Sequence, residues 1–527
     1  MRQGIVVMGV LAGFCACKDG AADETGVAAT EVMSGGPTAA TSTGGGEAGE
    51  TSTGSPTSRP TSAGESGETA ADPTSGPTGD PTGDTTTADG ETGDTGGVEP
   101  DPVPAEFTGC DAGPSGRDIA VDPGTYEGLV AGMQPGDRML FAAGVYTGGL
   151  DIVDMNGAPG ACFFFEGPGE GPPAVFVGNS NRNTVSIRDS SYVVVRGLEL
   201  DGMGQLGDGV KAEGDAAYAH HVVLEDLHIH DHDGDLQIVG INTKCPTWGW
   251  VIRDCTIERV GTGIYLGNSN GDKPFVGGLV EHNVVLDTLG YNMQIKHQND
   301  RPALDGLPAQ ATTIIRHNVL SKQNGGLTGD NARPNLLLGH FPPAGPGADD
   351  QYLVYGNFFH DNPTEALFQG EGHVALYNNV FVAPSGPAIR IQPQNDVPKR
   401  IAIFFNSVHA SGGGVRVAGG DPGYAQIVVG NAVVADPPLD GGTQADNAAS
   451  LPGEAGVFVD PAAPVGAGLD LHPLPGALAA DVDTAMLAAY LRWDHDFDGR
   501  PRDGGFVGAY AGPADAGAWA LARARKP

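Results

Sequence analysis

The chain has 527 residues, 84 of them glycine and 40 proline, with only 18% charged and 6% aromatic residues. Its formal net charge is −37; a nucleic-acid binder is normally basic, so that class is disfavoured. Beyond the extreme N-terminus no stretch has the ~20 apolar residues of a membrane-spanning helix.

Arg2 gives a positive start and residues 4–14 an apolar run, the pattern of an export signal. The run ends in Phe14-Cys15-Ala16-Cys17 and resembles a bacterial lipobox, in which a small residue precedes a cysteine that is lipidated. The resemblance implies Cys17 as the lipidated residue and a membrane contact through that anchor alone. It places the protein at the outer membrane or cell surface; simple secretion after cleavage nearby is the alternative. Residues 18–106 are Thr, Gly, Ser, Pro, Glu and Asp with almost no large apolar side chain. Such a tract cannot offset the entropy of folding and reads as a disordered linker, with a mean span of about 50 Å.

The folded domain is expected over 107–515, with 516–527 as a C-terminal tail. Residues 125–137 place Tyr126, Leu129, Val130 and Met133 at helical spacing before a Pro-Gly turn, a helix suited to capping one end of a solenoid. Cys110, Cys162, Cys245 and Cys255 are even in number in an oxidising compartment, so two disulfides are expected. Neighbour pairing, Cys110–Cys162 and Cys245–Cys255, is one of three connectivities. No CxxC spacing exists, and no metal site of that kind is expected.

From about residue 184 the chain is periodic. Each unit holds a short apolar strand, a polar turn, a second strand, a variable loop and one rung. The rungs are 209–213 (GVKAE), 240–244 (GINTK), 263–267 (GIYLG), 291–296 (YNMQIK), 335–339 (NLLLG), 365–369 (EALFQ), 387–392 (PAIRIQ) and 414–418 (GVRVA). The turns carry asparagines at matching positions: Asn283, Asn318, Asn357, Asn379, Asn406 and Asn431. A stacked, inward Asn satisfies backbone groups at every bend. This column, the MQPGDRMLFAAGVYTGGL opening and the closing DFDGRPRDGGFVGAYAG resemble right-handed parallel β-helices of the pectate-lyase-like superfamily. The resemblance implies an all-β solenoid. It also implies a substrate lying along the outer face of one sheet, in a superfamily of polysaccharide lyases, glycosidases, epimerases and non-catalytic surface proteins.

Alternation then gives the outward residues of the rung face. They are Lys211, Glu213, Asn242, Lys244, Tyr265, Gln294, Lys296, Leu337, Leu367, Gln369, Arg390, Gln392 and Arg416. Three lysines, two arginines and one glutamate make an anomaly on a chain of charge −37. A basic groove on an acidic exported protein points to an anionic polysaccharide. β-Elimination on a uronate needs a base for the C5 proton, positive charge on the carboxylate and an acid for the leaving oxygen. Lyases of this fold commonly use Lys or Arg in such roles, so the resemblance implies Lys296 as the candidate base, with Lys244 two rungs away and His297 beside it. His297, His340, Arg301 and Arg333, at the rung ends or in the adjoining loops, are the candidates for the acid and the carboxylate clamp, and Gln369 and Glu371 share the groove. A uronan C5-epimerase would need much the same groove; a non-catalytic adhesin needs only the face. DHDGD at 231–235 and DHDFD at 494–498 offer carboxylates to Ca²⁺ without EF-hand spacing, so Ca²⁺ is possible and no cofactor is required. Arg316 falls in register with Glu281 and Arg253 on another sheet, which reads as surface ion pairing. The protein is expected to be a monomer.

Overall fold

The computed structural model describes residues 101–527 apart from 455, 503 and 516. The leader, the linker and the expected lipidation at Cys17 lie outside the described residues. Three long parallel sheets of 13, 12 and 11 strands run side by side, and successive coils add one strand to each. The chain is a right-handed parallel β-helix. The 11-stranded sheet contains every expected rung, including Val210–Glu213, Val239–Thr243, Thr262–Leu266, Met293–Ile295 and Leu336–Leu338.

Rung register follows from burial. Val210, Ile241, Ile264, Met293, Leu336, Phe368, Ile389 and Val415 stack in one column, each at most 2% exposed. A slip of one residue would turn this column outward and forfeit about 1.5–3 kcal/mol per side chain. Leu367 is the exception to the expected outward set. It is fully buried in the core, because its rung begins one residue later, at Phe368.

The asparagine column forms as expected. Asn283 donates to Asn318 Oδ1 from both its backbone and side-chain nitrogens, and the same pair of bonds recurs down the column to Asn431. It runs one coil further, to Asn447. The residue before each asparagine is left-handed, including His282 (φ 54°), His317 (56°), Asn378 (51°) and Phe405 (52°). A bulky residue there costs about 1–2 kcal/mol, which the column's bonds must outweigh.

Cysteine pairing departs in part from expectation. Cys110 and Cys162 are bonded. Cys245 and Cys255 are separate buried thiols, so the second expected bridge does not form. The reason is positional: Cys255 heads the asparagine column, where its backbone nitrogen donates to Asn283 Oδ1 at 3.0 Å, and Cys245 lies in the core beside a rung. Burial pushes both thiols up to about 12.

The expected helix shrinks to one turn, Glu127–Val130. Gly132 and the Pro135-Gly136 pair break the rest. Tyr126, Val130 and Met133 still enter the core, and Tyr126 packs edge-on against Phe141, Tyr146 and Phe176.

Arg316 is not a surface residue. It is 1% exposed in the 13-stranded sheet, donating to Glu281 Oε2 at 2.7 Å and to Tyr355 Oη at 3.0 Å. It ends a column in which Glu166, Arg196, Glu225, Arg253, Glu281 and Arg316 alternate in charge. Tyr355, Tyr377 and Phe404 then continue that column as stacked rings. The segment after residue 457 packs on this face: Tyr377 Oη donates to Leu491 O and Asn378 Nδ2 to His495 O.

Candidate functional site

The outer face of the rung sheet has two outward columns. The first sets Lys211, Asn242, Tyr265, Gln294, Leu337, Gln369, Arg390 and Arg416 in adjacent register. The second runs along the rung ends through Lys244, Gly267, Lys296, Gly339, Glu371 and Gln392; the backbone amides of all but Gly267 continue the ladder, and that of Gly267 donates to Thr243 Oγ1 at 2.7 Å. The expected face is therefore assembled, and Lys244 and Lys296 are two rungs apart, about 10 Å along the sheet.

Tyr265 joins them. Its ring centroid lies 4.4 Å from Lys244 Nζ and 5.9 Å from Lys296 Nζ. A ring face attracts each ammonium group by about 0.5–2 kcal/mol. Tyr265 Oη is 2.8 Å from Ser269 Oγ, which fixes the ring's outer end. Gly267 leaves room between the lysines: a Cβ there would stand 3.3 Å from Lys296 Cβ, and its φ of 87° suits glycine. At Gly339 a Cβ would lie 2.3 Å from the His297 backbone nitrogen, so only glycine lets these two coils approach. Gln294 and Lys296 are nevertheless deep, at 4% and 7% exposure.

Beside Lys296, the rings of His297 and His340 stack at 5.3 Å. His340 Nδ1 donates to Phe341 O at 2.8 Å, so its Nε2 is the acceptor nitrogen of the neutral ring. Asn395 Nδ2 stands 3.2 Å from His297 Nδ1. Glu371 is 1% exposed and accepts the backbone amides of Gln394, Asn395 and Asp396 at 2.8–3.1 Å. Burial raises its pKa, and those amides and His340 only partly offset the rise.

Other cations of the face have carboxylate partners. Lys211 pairs with Glu213 at 3.0 Å and Asp208 at 3.9 Å, Arg390 with Glu365 at 3.8 Å, and Arg416 with Asp440 at 3.3 Å. Asn242 donates to Asp208, and Gln369 donates to Glu365 and accepts from Gln394. Gln392 is half-buried at its rung end. Two expected carboxylate clamps lie elsewhere. Arg301 is 2% exposed in an ion pair with Asp350, and Arg333 lies over Tyr291 at the opposite edge of the rungs, donating to Asp330 O and Ala332 O. Of the two motifs considered for Ca²⁺, the second is committed internally: Asp496 accepts from Arg500 and Ala511, and Asp498 faces His472. Lys322, which composition did not single out, is a buried lysine donating to Arg333 O and Pro334 O; burial holds its pKa well below the usual range. Its only sequence signal is a lysine directly after an apolar strand.

No protein-family model matches the chain, and no curated protein does. Among solved structures, an alginate lyase from Paenibacillus is similar at 17% identity and a TM-score of 0.32, covering 53% of this chain and 97% of that one. A lacto-N-biosidase from Eubacterium ramulus gives 12% and 0.44, covering 64% and 68%. The A-module of a mannuronan C-5 epimerase from Azotobacter vinelandii gives 14% and 0.36, covering 65% and 96%. At these identities the likeness is one of fold, and the fold rests on the chain's own three parallel sheets.

Proposed function

We propose that the chain is an exported, lipid-anchored β-helix whose rung face binds an acidic polysaccharide and acts on it at Lys296. The observation that carries this reading is the Lys244–Tyr265–Lys296 arrangement: two lysine amino groups on one aromatic ring, at the centre of a sheet face, on a chain of charge −37. Sugar rings pack on aromatic faces, and uronate carboxylates answer to ammonium groups. In β-elimination Lys296, as its neutral amine, would take the C5 proton, Lys244 would face the carboxylate, and His297, or His340 protonated at Nε2, would give a proton to the leaving oxygen. C5-epimerisation would use the same base, with a second group giving a proton to C5 from the opposite face of the sugar ring.

One observation favours binding without turnover. Arg301 and Glu371 are committed to internal partners, and His340 Nδ1 is bonded to Phe341 O. The test incubates the purified full chain with alginate, pectate and sulfated and unsulfated glycosaminoglycans, with and without Ca²⁺. Absorbance at the unsaturated-uronate band reports elimination, proton NMR of the polymer reports epimerisation, and gel retardation reports binding. Elimination that falls at least about 100-fold in Lys296→Ala supports the lyase reading. Retardation without either reaction supports the adhesin. Neither reaction nor retardation on any polymer would sink the acidic-polysaccharide reading.

A further inference from the structure

A second polar cluster lies away from the groove, on the outer face of the 12-stranded sheet. Strand His228–His232 points His228 and His230 the same way. Register sets Glu199 and Asp201 on the coil before and Glu258 on the coil after. The two imidazole centroids are 4.4 Å apart. Glu199, His228 and His230 each offer one ligand atom within 4.8 Å of the others.

The hydrogen-bond inventory of this cluster does not close by itself. Asp231 Oδ2 lies 2.7 Å from His230 Nδ1, so that nitrogen carries the proton. The other nitrogen, Nε2, then presents a lone pair to Glu199 Oε1 at 3.3 Å. His228 Nε2 meets Glu258 Oε1 at the same 3.3 Å. His230 thus faces a carboxylate from each ring nitrogen, whereas His228 Nε2 can donate to Glu258 by itself. Carboxylates of Glu199, Asp201, Asp231 and Glu258 surround the imidazoles, and Arg259 answers Asp231 and Glu258. The donors of a tetrahedral zinc ion stand about 3.3 Å apart, the separation of His230 Nε2 and Glu199 Oε1. His230 is held in place with its side chain 10% exposed, while His228 is 43% exposed and leaves a way in.

We propose that Glu199, His228 and His230 bind one divalent ion of the zinc class, with water in the fourth position, and that Asp231 orients His230 through Nδ1. Two imidazoles and one carboxylate suit such an ion; Ca²⁺ takes oxygen donors only. A carboxylate on the far nitrogen is the usual outer support of a metal-bound histidine. The ion clamps two successive coils, so its effect is on stability and not on the groove.

The full chain, prepared without a polyhistidine tag and stripped with chelator, is dialysed against Zn²⁺ and then against metal-free buffer. Elemental analysis is expected to find one equivalent of zinc per chain. Co²⁺ in its place is expected to give tetrahedral d–d absorption, and Zn²⁺ to raise the melting temperature. His228→Ala, with unchanged circular dichroism, loses the retained zinc and the thermal shift. Asp231→Asn weakens zinc affinity about 10–100-fold. The proposal is overturned if the wild type retains no zinc, if a His228→Ala/His230→Ala double variant retains it, or if Ca²⁺ alone produces the thermal shift.

Discussion

At Glu371 the carboxylate accepts three backbone amides from 394–396 while burial raises its pKa. This combination is that of a strut and not of a proton carrier. Glu371→Gln keeps the shape and removes the charge, so it is expected to cost about 1.5–3 kcal/mol in urea unfolding and to speed amide exchange at 394–396. Lost turnover with an unchanged melting temperature would show instead that Glu371 handles a proton. Tyr265 makes the complementary case. Tyr265→Phe retains the ring face under Lys244 and Lys296, whereas Tyr265→Ala removes it. Retardation of an anionic polymer is expected to weaken about 3–10-fold in the alanine variant and to stay near wild type in the phenylalanine one. Charges such as these are where the sequence is hardest to read. Arg301 and Arg316 look like exposed cations, yet their partners Asp350 and Glu281 lie 49 and 35 residues away. Nothing periodic announces a partner supplied by a loop or by another coil.

The repeating elements are far more legible, because each has one buried face. The alternation in GVKAE, GINTK and GIYLG sets the rung register, and the structure pairs Lys211, Asn242 and Tyr265 accordingly. The asparagine column is legible for the same reason: a fixed offset from an apolar strand. Its head is not, since Cys255 breaks the residue type while keeping the position. Cys255 Sγ lies 3.3 Å from Arg253 O and 3.7 Å from Leu224 O, the equivalents of the two carbonyls that the Asn318 amide bonds two coils later. Cys255→Asn is therefore expected to extend the column and to leave stability equal or raise it by about 1 kcal/mol in urea melts. A loss above that size would mean that the site is shaped for sulfur. In the middle of the column, Asn357 donates to Ile315 O, Tyr355 O and Asn379 Oδ1 and accepts from Asn318. Asn357→Ala strands several buried groups and is expected to cost about 3–5 kcal/mol. Asn447→Ala, at the half-buried end, is expected to cost clearly less. Equal costs would argue against a cooperative column.

Across the whole molecule, the C-terminal residues tie separate coils together. Arg523 pairs with Asp287, Arg525 reaches Asp254 O, and Lys526 Nζ is buried, donating to Phe497 O at 2.6 Å and Gly356 O at 3.0 Å. The sequence suggests only a short tail here, because the coils that receive it are 170 to 244 residues away in the chain. Burial lowers the Lys526 pKa to about 8, against 10.5 when free. Between these values the unfolded chain binds the proton and the folded chain does not, so stability must rise with pH across that window. Below pH 8 the cost of burying the ammonium is present in full; near pH 10.5 it is gone, a span of about 3 kcal/mol. Burial and Lys526 likewise push His317 down to about 3, from 6.5, so His317 costs stability as the pH falls from 6.5 towards 3. The two windows do not overlap, which lets one variant isolate the lysine. Lys526→Met removes the alkaline window, so the stability of the wild type relative to this variant is expected to grow from pH 8 to pH 10. Urea melts of both proteins at pH 7, 8.5 and 10 measure it. Parallel curves would mean that Lys526 stays charged and that the C-terminal residues do not close over the coils.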